Sequence, residues 1–420
     1  MRAGGRRVLA GLLAAAVVGG ADAARAQSAV FGREAWRGMA EIGLGAADGE
    51  RSWVDGGFGK TALSGSAEGD WKTDAGLTQA VLEWRPQFSF AASAVISVQW
   101  QKHVHPGLDL DEGYLKLRAP PMGEGRWSGR IGLFYPPVSL EHGGVGWTTQ
   151  DLISASALNT WIGEEVKVAG VETTYSRRIG GHELALTGAV FGWNDTSGTL
   201  LSFRGWALDG IRTGPRTEFE LPPLSPFMES KQDDETYPVW EVDGRPGYYA
   251  RLEWRPPAPV TVNVFYYDNR GDRTSVKDPH QWAWDTRFLD VGVNWAPNGR
   301  TRVRAQALSG VTYMGFATPQ TWIDQRYRAA YLMATRDLSG GVLTGRLDWF
   351  DVRDRTFQAI DNNDETGWAA TAGWRWPLSA YADLLVEAQH VRSKRPSRAL
   401  AGEAANQAQN VVQSVLRLHF

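Results

Sequence analysis

Basic side chains recur in this sequence at spacings that acquire meaning on an extended chain. Lys116 and Arg118, Arg302 and Arg304, and Arg326 and Arg328 stand two apart, whereas Arg126 and Arg130, and Arg251 and Arg255, stand four apart. Side chains on a strand alternate between its two faces, so the members of each pair share a face. Giving the less apolar face of every strand to water places all of them inside, together with Arg346, Arg375 and Arg417. Fewer acids fall on that side: Glu83, Glu112, Glu253, Asp290, Asp348 and Glu387. The wall is expected to lean positive although the whole chain carries a formal charge of -3. Guanidinium groups lining a narrow wet passage raise the local concentration of anions. The plainer alternative is that these arginines pair with acids across strands and only brace the wall.

One long connection bears the complementary charge. The segment 136–165 holds Glu141, Asp151, Glu164 and Glu165. Folded inward, it is a candidate constriction loop whose acids face the Arg wall and set up a transverse field. As an ordinary surface loop it would do neither.

Other chemistry is weaker. Gly59-Lys60-Thr61 matches the end of a phosphate-binding loop, but Val54 occupies the position where that loop needs Gly. Arg270-Gly271-Asp272 spells an adhesion tripeptide among turn formers. The acid clusters at 109–112, 233–235 and 361–365 offer oxygen ligands for Ca²⁺ but lack the twelve-residue loop spacing. There is no cysteine, so disulfides, thiolate metal sites and a Cys nucleophile are excluded. Neither a Gly-x-Ser-x-Gly elbow nor a His-Glu-x-x-His zinc spacing occurs. His142 and His182 fall on connections at opposite ends, leaving His103 and His105 as the candidates for a lipid hydrolase. No metal or cofactor is expected.

The elements that must carry these residues are strands. In 89–101, Phe90, Ala92, Ala94, Ile96, Val98 and Trp100 form one face, and Ser89, Ala91, Ser93, Val95, Ser97, Gln99 and Gln101 the other. The same period of two returns in 126–135, 182–193, 248–255, 289–306, 341–351 and 368–389. A Trp closing a strand, with Pro next or one residue on, recurs at Trp84-Arg85-Pro86, Trp254-Arg255-Pro256, Trp295-Ala296-Pro297 and Trp376-Pro377. Pro lacks the N–H that a ladder needs, and Trp favours a membrane interface. These turns follow strands two, eight, ten and fourteen. The links near Pro120, Gly180 and Gly340 are also short, whereas those at 48–76, 136–165 and 194–247 are long. Sorting by parity predicts an all-β fold: a transmembrane antiparallel up-and-down β-barrel of about 16 strands, with short periplasmic turns and long extracellular loops. The weak strand 37–46 opens the series.

The ends agree with export to an outer membrane. Arg2, Arg6 and Arg7 precede an apolar run from Val8 to Val18 that ends at Ala24-Arg25-Ala26, the pattern of a cleaved signal peptide over 1–26. That leaves 27–420 as the barrel, with 194–247 its longest external loop. No later apolar stretch approaches the ~18 residues of a membrane helix. At the C-terminus Val412, Ser414, Leu416, Leu418 and Phe420 share one face, with Gln413, Arg417 and His419 opposite. A closing strand ending on Phe420 resembles the assembly signal of outer-membrane barrels, which implies the barrel-assembly machinery as a partner. The 20 Trp and 48 Gly suit interfacial girdles and bent strands. The charge balance argues against a nucleic-acid partner.

Residues Gly129-Arg130-Ile131-Gly132-Leu133-Phe134-Tyr135-Pro136-Pro137-Val138-Ser139-Leu140-Glu141 resemble the Gly-x-Phe-x-x-Pro-Phe-x-Leu-Glu segment of phosphate-selective porins of the O and P type. That resemblance implies a sixteen-stranded homotrimeric channel. Val138 stands where the family prefers an aromatic, and lysines, which that family uses beside arginine for anions, are few. The expectation is a bacterial outer-membrane porin passing small hydrophilic solutes between lipid-embedded walls, with anions favoured. An outer-membrane lipid hydrolase and a surface adhesion or binding barrel are the alternatives.

Overall fold

The computed structural model describes residues 30–420 except 67, 357 and 359, so the signal peptide expected over 1–26 lies outside the described residues. Sixteen strands follow one another around a closed barrel. They are β1 (Trp36–Ala47), β2 (Lys72–Trp84), β3 (Ala92–Gln101), β4 (Leu108–Arg118), β5 (Gly125–Phe134), β6 (Val168–Ile179), β7 (His182–Gly192) and β8 (Gly247–Arg255). β9 (Val260–Asp268), β10 (Asp285–Asn298), β11 (Thr301–Met314), β12 (Ile323–Leu338), β13 (Gly341–Asp354), β14 (Glu365–Ser379), β15 (Ala382–Lys394) and β16 (Asn406–His419) complete it. Each strand pairs antiparallel with its neighbour, and β1 closes on β16 from Met39 opposite His419 to Ala47 opposite Val411. Closure leaves no strand edge with unpaired amides, the condition for placing sheet in hydrocarbon.

The alternation assigns the faces. On β3, Val95, Ser97, Gln99 and Gln101 are buried inside, while Ile96 and Val98 are exposed outside. Ile42, Leu44, Leu82, Leu186, Leu252, Leu289, Leu347 and Val412 belong to the same outer apolar band. Aromatic rings edge that band at the short-turn end: Trp36 stacks on Trp84 at 5.8 Å and Trp127 meets Tyr175 at 4.8 Å. At the other end Trp349 stands in register beside Trp368.

The Trp-Pro segments do close β2, β8, β10 and β14, those of β10 and β14 falling within the last residues of the strand. Pro297 and Pro377 fall where the ladder registers shift, after Trp295 and before Ser379, as a residue without an N–H requires. Short links of two residues join β6 to β7, β10 to β11, β12 to β13 and β14 to β15. The long links lie at the opposite end, at 48–71, 135–167 and 193–246. One odd-to-even link, 102–107, is as short as the turns it opposes. Phe420 sits at the seam: its N–H donates to the Gly38 carbonyl at 3.2 Å, and a Cβ on Gly38 would lie 2.2 Å from the Phe420 ring.

Unlike a water-filled tube, the long-loop half of the lumen holds a hydrophobic core. Phe134, Tyr249, Phe265, Tyr267, Phe288, Tyr327 and Phe350 point inward from the wall onto Trp161, Leu201, Trp206 and Leu208 of the long links. Two residues before Phe134, β5 requires glycine at Gly132, whose φ of +142° few side chains adopt and whose added Cβ would fall 2.2 Å from the Gly113 carbonyl oxygen. Gly132→Ala should therefore cost about 1–3 kcal/mol. Thermal melting in detergent, followed by the mobility shift between folded and heated protein, checks this, and an unchanged melting point would contradict it.

Candidate functional site

The functional surface of a barrel is its lumen, and the charge arrangement there begins with the strands. Inward alternation delivers Arg118, Arg130, Arg251, Arg302, Arg304, Arg346, Arg375 and Arg417 to the inner face. Segment 136–165 lies against them inside the barrel. Its helix α1 (Ala157–Glu165) is buried at all nine residues, starts from the Ser156 cap and packs against β12 and β13. The Asp348 carboxylate accepts the Ala157 N–H at 3.1 Å, an acid at a helix N-terminus.

The extended part of the segment is tied down by wall residues. Asp151 bridges Arg302 at 3.1 Å and Arg304 at 2.6 Å. Glu141 meets Arg346 at 3.2 Å, and Arg346 also holds Asp348 at 2.9 Å and the Ser154 carbonyl at 2.7 Å. Glu387 accepts the N–H groups of Ile153 and Ser154 at 2.7 and 3.1 Å. Gln306 accepts from Leu140 N–H and donates to the Val138 carbonyl, both at 3.0 Å.

Two expectations about individual residues are corrected. Glu164 and Glu165 do not face the Arg wall. They end α1 on its far side, where Glu164 takes a two-pronged bond from Arg204 at 2.8 and 2.7 Å. Glu165 accepts from Leu200 N–H and from the Trp161 indole, at 2.8 and 2.7 Å. The helix turns these last residues toward link 193–246, which the sequence offered no way to place. Arg326 and Arg328 are the second correction, because they point outward. On β12 the buried inner face is Tyr327, Ala329, Tyr331 and Met333. The rule that the less apolar face meets water fails there because apolar α1, and not water, occupies the lumen.

Most of the lumenal arginines are paired. Arg130 grips Glu172 at 2.8 and 2.9 Å, Arg375 reaches Asp383 at 3.4 Å, Arg417 meets Glu41 at 2.6 Å, and Arg251 pairs with Glu253. Arg118 is exposed at the short-turn mouth. A vestibule of about 760 Å³ opens at that mouth, lined by Arg33, Arg37, Arg302, Arg375 and Arg417 against Glu34, Asp151 and Asp383. Beside it a cavity of about 330 Å³ carries Arg85, Arg130 and Arg251 against Glu83 and Glu112. The vestibule therefore keeps an excess of basic groups, whereas in the cavity Glu172 and Glu253 take Arg130 and Arg251 and leave Arg85 with Glu83 and Glu112.

Sequence reasoning missed what closes that second cavity. Trp147 lies between Tyr135 at 3.9 Å and His142 at 3.7 Å, in a stack of nearly parallel rings. Burial, with Arg212 and Arg346 adding to it, drives the His142 pKa well below its ordinary value. The only sequence signal was Gly146 before Trp147, which reverses the chain at positive φ in both residues. Link 48–71 was expected only as a long connection. It contributes Lys60, fully buried against Glu365 and the Trp206 carbonyl, and burial lowers its pKa to about 8 against the pull of Glu365. Burial likewise pushes Glu164 up to about 8, opposed by Arg204. Trp53 from the same link donates to Asp209 at 2.8 Å.

The hydrolase and adhesion candidates are placed elsewhere. His103 faces Asp74 at 3.2 Å, and His105 pairs with Glu218. Ser139 contacts His142 at 2.7 Å but accepts the Glu141 and His142 N–H groups, the pattern of a local turn. Gly271 is packed on the Trp284 carbonyl and Asp272 is bound by Arg245 at 2.7 Å, so the adhesion tripeptide is not freely displayed. Asp195, Glu241 and Asp243 gather on link 193–246, their oxygens occupied by backbone N–H groups such as Val242 and Trp193.

Arg346→Met would leave Glu141 and Asp348 buried without their cation. A loss of about 3–5 kcal/mol is expected for such an unpaired charge. Limited proteolysis should then cut within 136–165 while the barrel stays folded, and protection equal to that of the unaltered protein would count against this anchoring.

No protein-family model matches the chain, and no curated protein matches it either. The likeness of 129–141 to phosphate-selective porins thus rests on that segment alone. Solved structures do match. The outer membrane channel DcaP of Acinetobacter baumannii is similar over 92% of this chain and 98% of its own, at 12% identity and a TM-score of 0.55. An anion-selective porin from Comamonas acidovorans covers the same shares at 11% identity and 0.50. The chain therefore has the sixteen-stranded barrel fold found in bacterial outer-membrane porins and channels.

Proposed function

We propose that this chain is a bacterial outer-membrane porin through which small hydrophilic solutes diffuse passively, with anions favoured. The observation that carries the reading is the vestibule, where five arginines face three carboxylates and the apolar band lies wholly on the other side of the wall. A low-dielectric wall concentrates that excess field on entering ions. Segment 136–165 is the constriction loop of this reading, Glu141 and Asp151 being the acids that fix it to Arg346, Arg302 and Arg304. The similar structures contribute the fold, and those two proteins, a channel and an anion-selective porin, are of the same class. Outer-membrane lipid around the wall, recognition of Phe420 by the barrel-assembly machinery and a homotrimer belong to the same proposal.

In planar bilayers the purified protein should insert in discrete conductance steps, and a salt gradient should give a reversal potential on the anion side. Asp151→Asn frees Arg302 and Arg304 and should move that potential further toward anions. Arg302→Ala with Arg304→Ala leaves Asp151 unopposed and should move it toward cations. Absence of steps, or cation preference in the unaltered protein, would refute the proposal.

A further inference from the structure

The outward arginines of β12 and β13 occupy a place where charge is costly. Above Trp349, which marks the long-loop edge of the apolar band, Arg326, Arg328 and Arg353 share the outer face with the carboxylates of Asp351 and Asp324, and Arg355 holds Asp324 at 2.9 Å. Arg328 and Arg353 each reach Asp351 at 2.9 Å, and the Arg328 guanidinium lies 5.7 Å from the Trp349 ring. Arg326 stands directly opposite Arg353 in the ladder. Like charges facing each other across two strands are destabilising unless an anion lies between them. Asp351 is already shared by Arg328 and Arg353 and Asp324 is taken by Arg355, so neither supplies it.

We propose that Arg326, Arg328 and Arg353 bind the phosphate of a lipid headgroup in the external leaflet. Depth supports a lipid over a soluble anion. Leu343, Leu347 and Trp349 descend along the same face of β13 into the apolar band, so acyl chains would lie on them while the headgroup meets the arginines. Guanidinium is suited to the task because its fork matches phosphate oxygens and remains charged near lipid. The interfacial Trp349 ring gives the glycerol or sugar region of the lipid a half-polar seat.

Native mass spectrometry of the detergent-solubilised protein, titrated with phosphatidic acid, tests the idea. Phosphatidic acid adducts should form in preference to those of diacylglycerol or phosphatidylcholine. Arg326→Gln with Arg353→Gln should reduce their occupancy on the order of tenfold, and Arg326→Lys with Arg353→Lys should restore most of it. Bilayer conductance and selectivity should not change in either variant, because these side chains lie outside the lumen. Equal occupancy in the Gln variant would overturn the proposal, as would displacement of the lipid by inorganic phosphate at comparable concentration. Loss of an oligomer in the Gln variant without loss of lipid would instead make this face an interface between copies, and would also overturn it.

Discussion

A backbone amide in hydrocarbon has no water to bond, so the chain must satisfy every such group itself. The pairing of β1 with β16 does this, turning fifteen hairpin-connected ladders into a ring without an edge. Once the ring is closed, alternation becomes a division between lipid and lumen. Each strand must offer an apolar residue outward at every second position, and the inward positions are released for charge. The aromatic girdle, the Trp-Pro turns and the final Phe420 mark where that arrangement begins and ends.

Inside, the governing balance is between desolvation and pairing. Arg346 and Arg204 are fully buried, and each is met by carboxylates held at hydrogen-bond distance. Removing ions from water is tolerable only with such partners. The long links supply several of them, so loop placement and charge neutralisation are one event. Glu141 and Asp151 fix segment 136–165 to one wall, and Lys60 and Glu164 join links 48–71, 136–165 and 193–246 to β14 and to one another. What charge remains unneutralised collects at the short-turn mouth.

Aromatic packing fills the other half of the lumen. Trp161 makes edge contacts with Trp206 at 6.1 Å, Phe288 at 5.4 Å and Tyr327 at 5.2 Å. A large apolar body within a barrel changes what an inward face looks like. On β12 that face is Tyr327, Tyr331 and Met333, more apolar than the outward Arg326 and Arg328. The inversion misdirected face assignment for this one strand, and it leaves cations on the outer wall beside Trp349.

The sequence alone determined the periodic features, because they arise from local geometry. Strand alternation, proline's missing donor and the parity of link lengths predicted sixteen strands, the turns after β2, β8, β10 and β14, and the inward course of Arg130, Arg251, Arg302, Arg304, Arg346 and Arg375. Tertiary structure decided everything that depends on long links, since no period constrains them. The stacking of Tyr135, Trp147 and His142, the burial of Lys60, and the turning of Glu164 toward Arg204 all join residues far apart in the chain or brought together by an aperiodic path. Which face of a strand is wet is likewise not a property of the strand. It is set by what the rest of the chain places in the lumen, and for Arg326 and Arg328 that was a helix whose apolar side displaced the water.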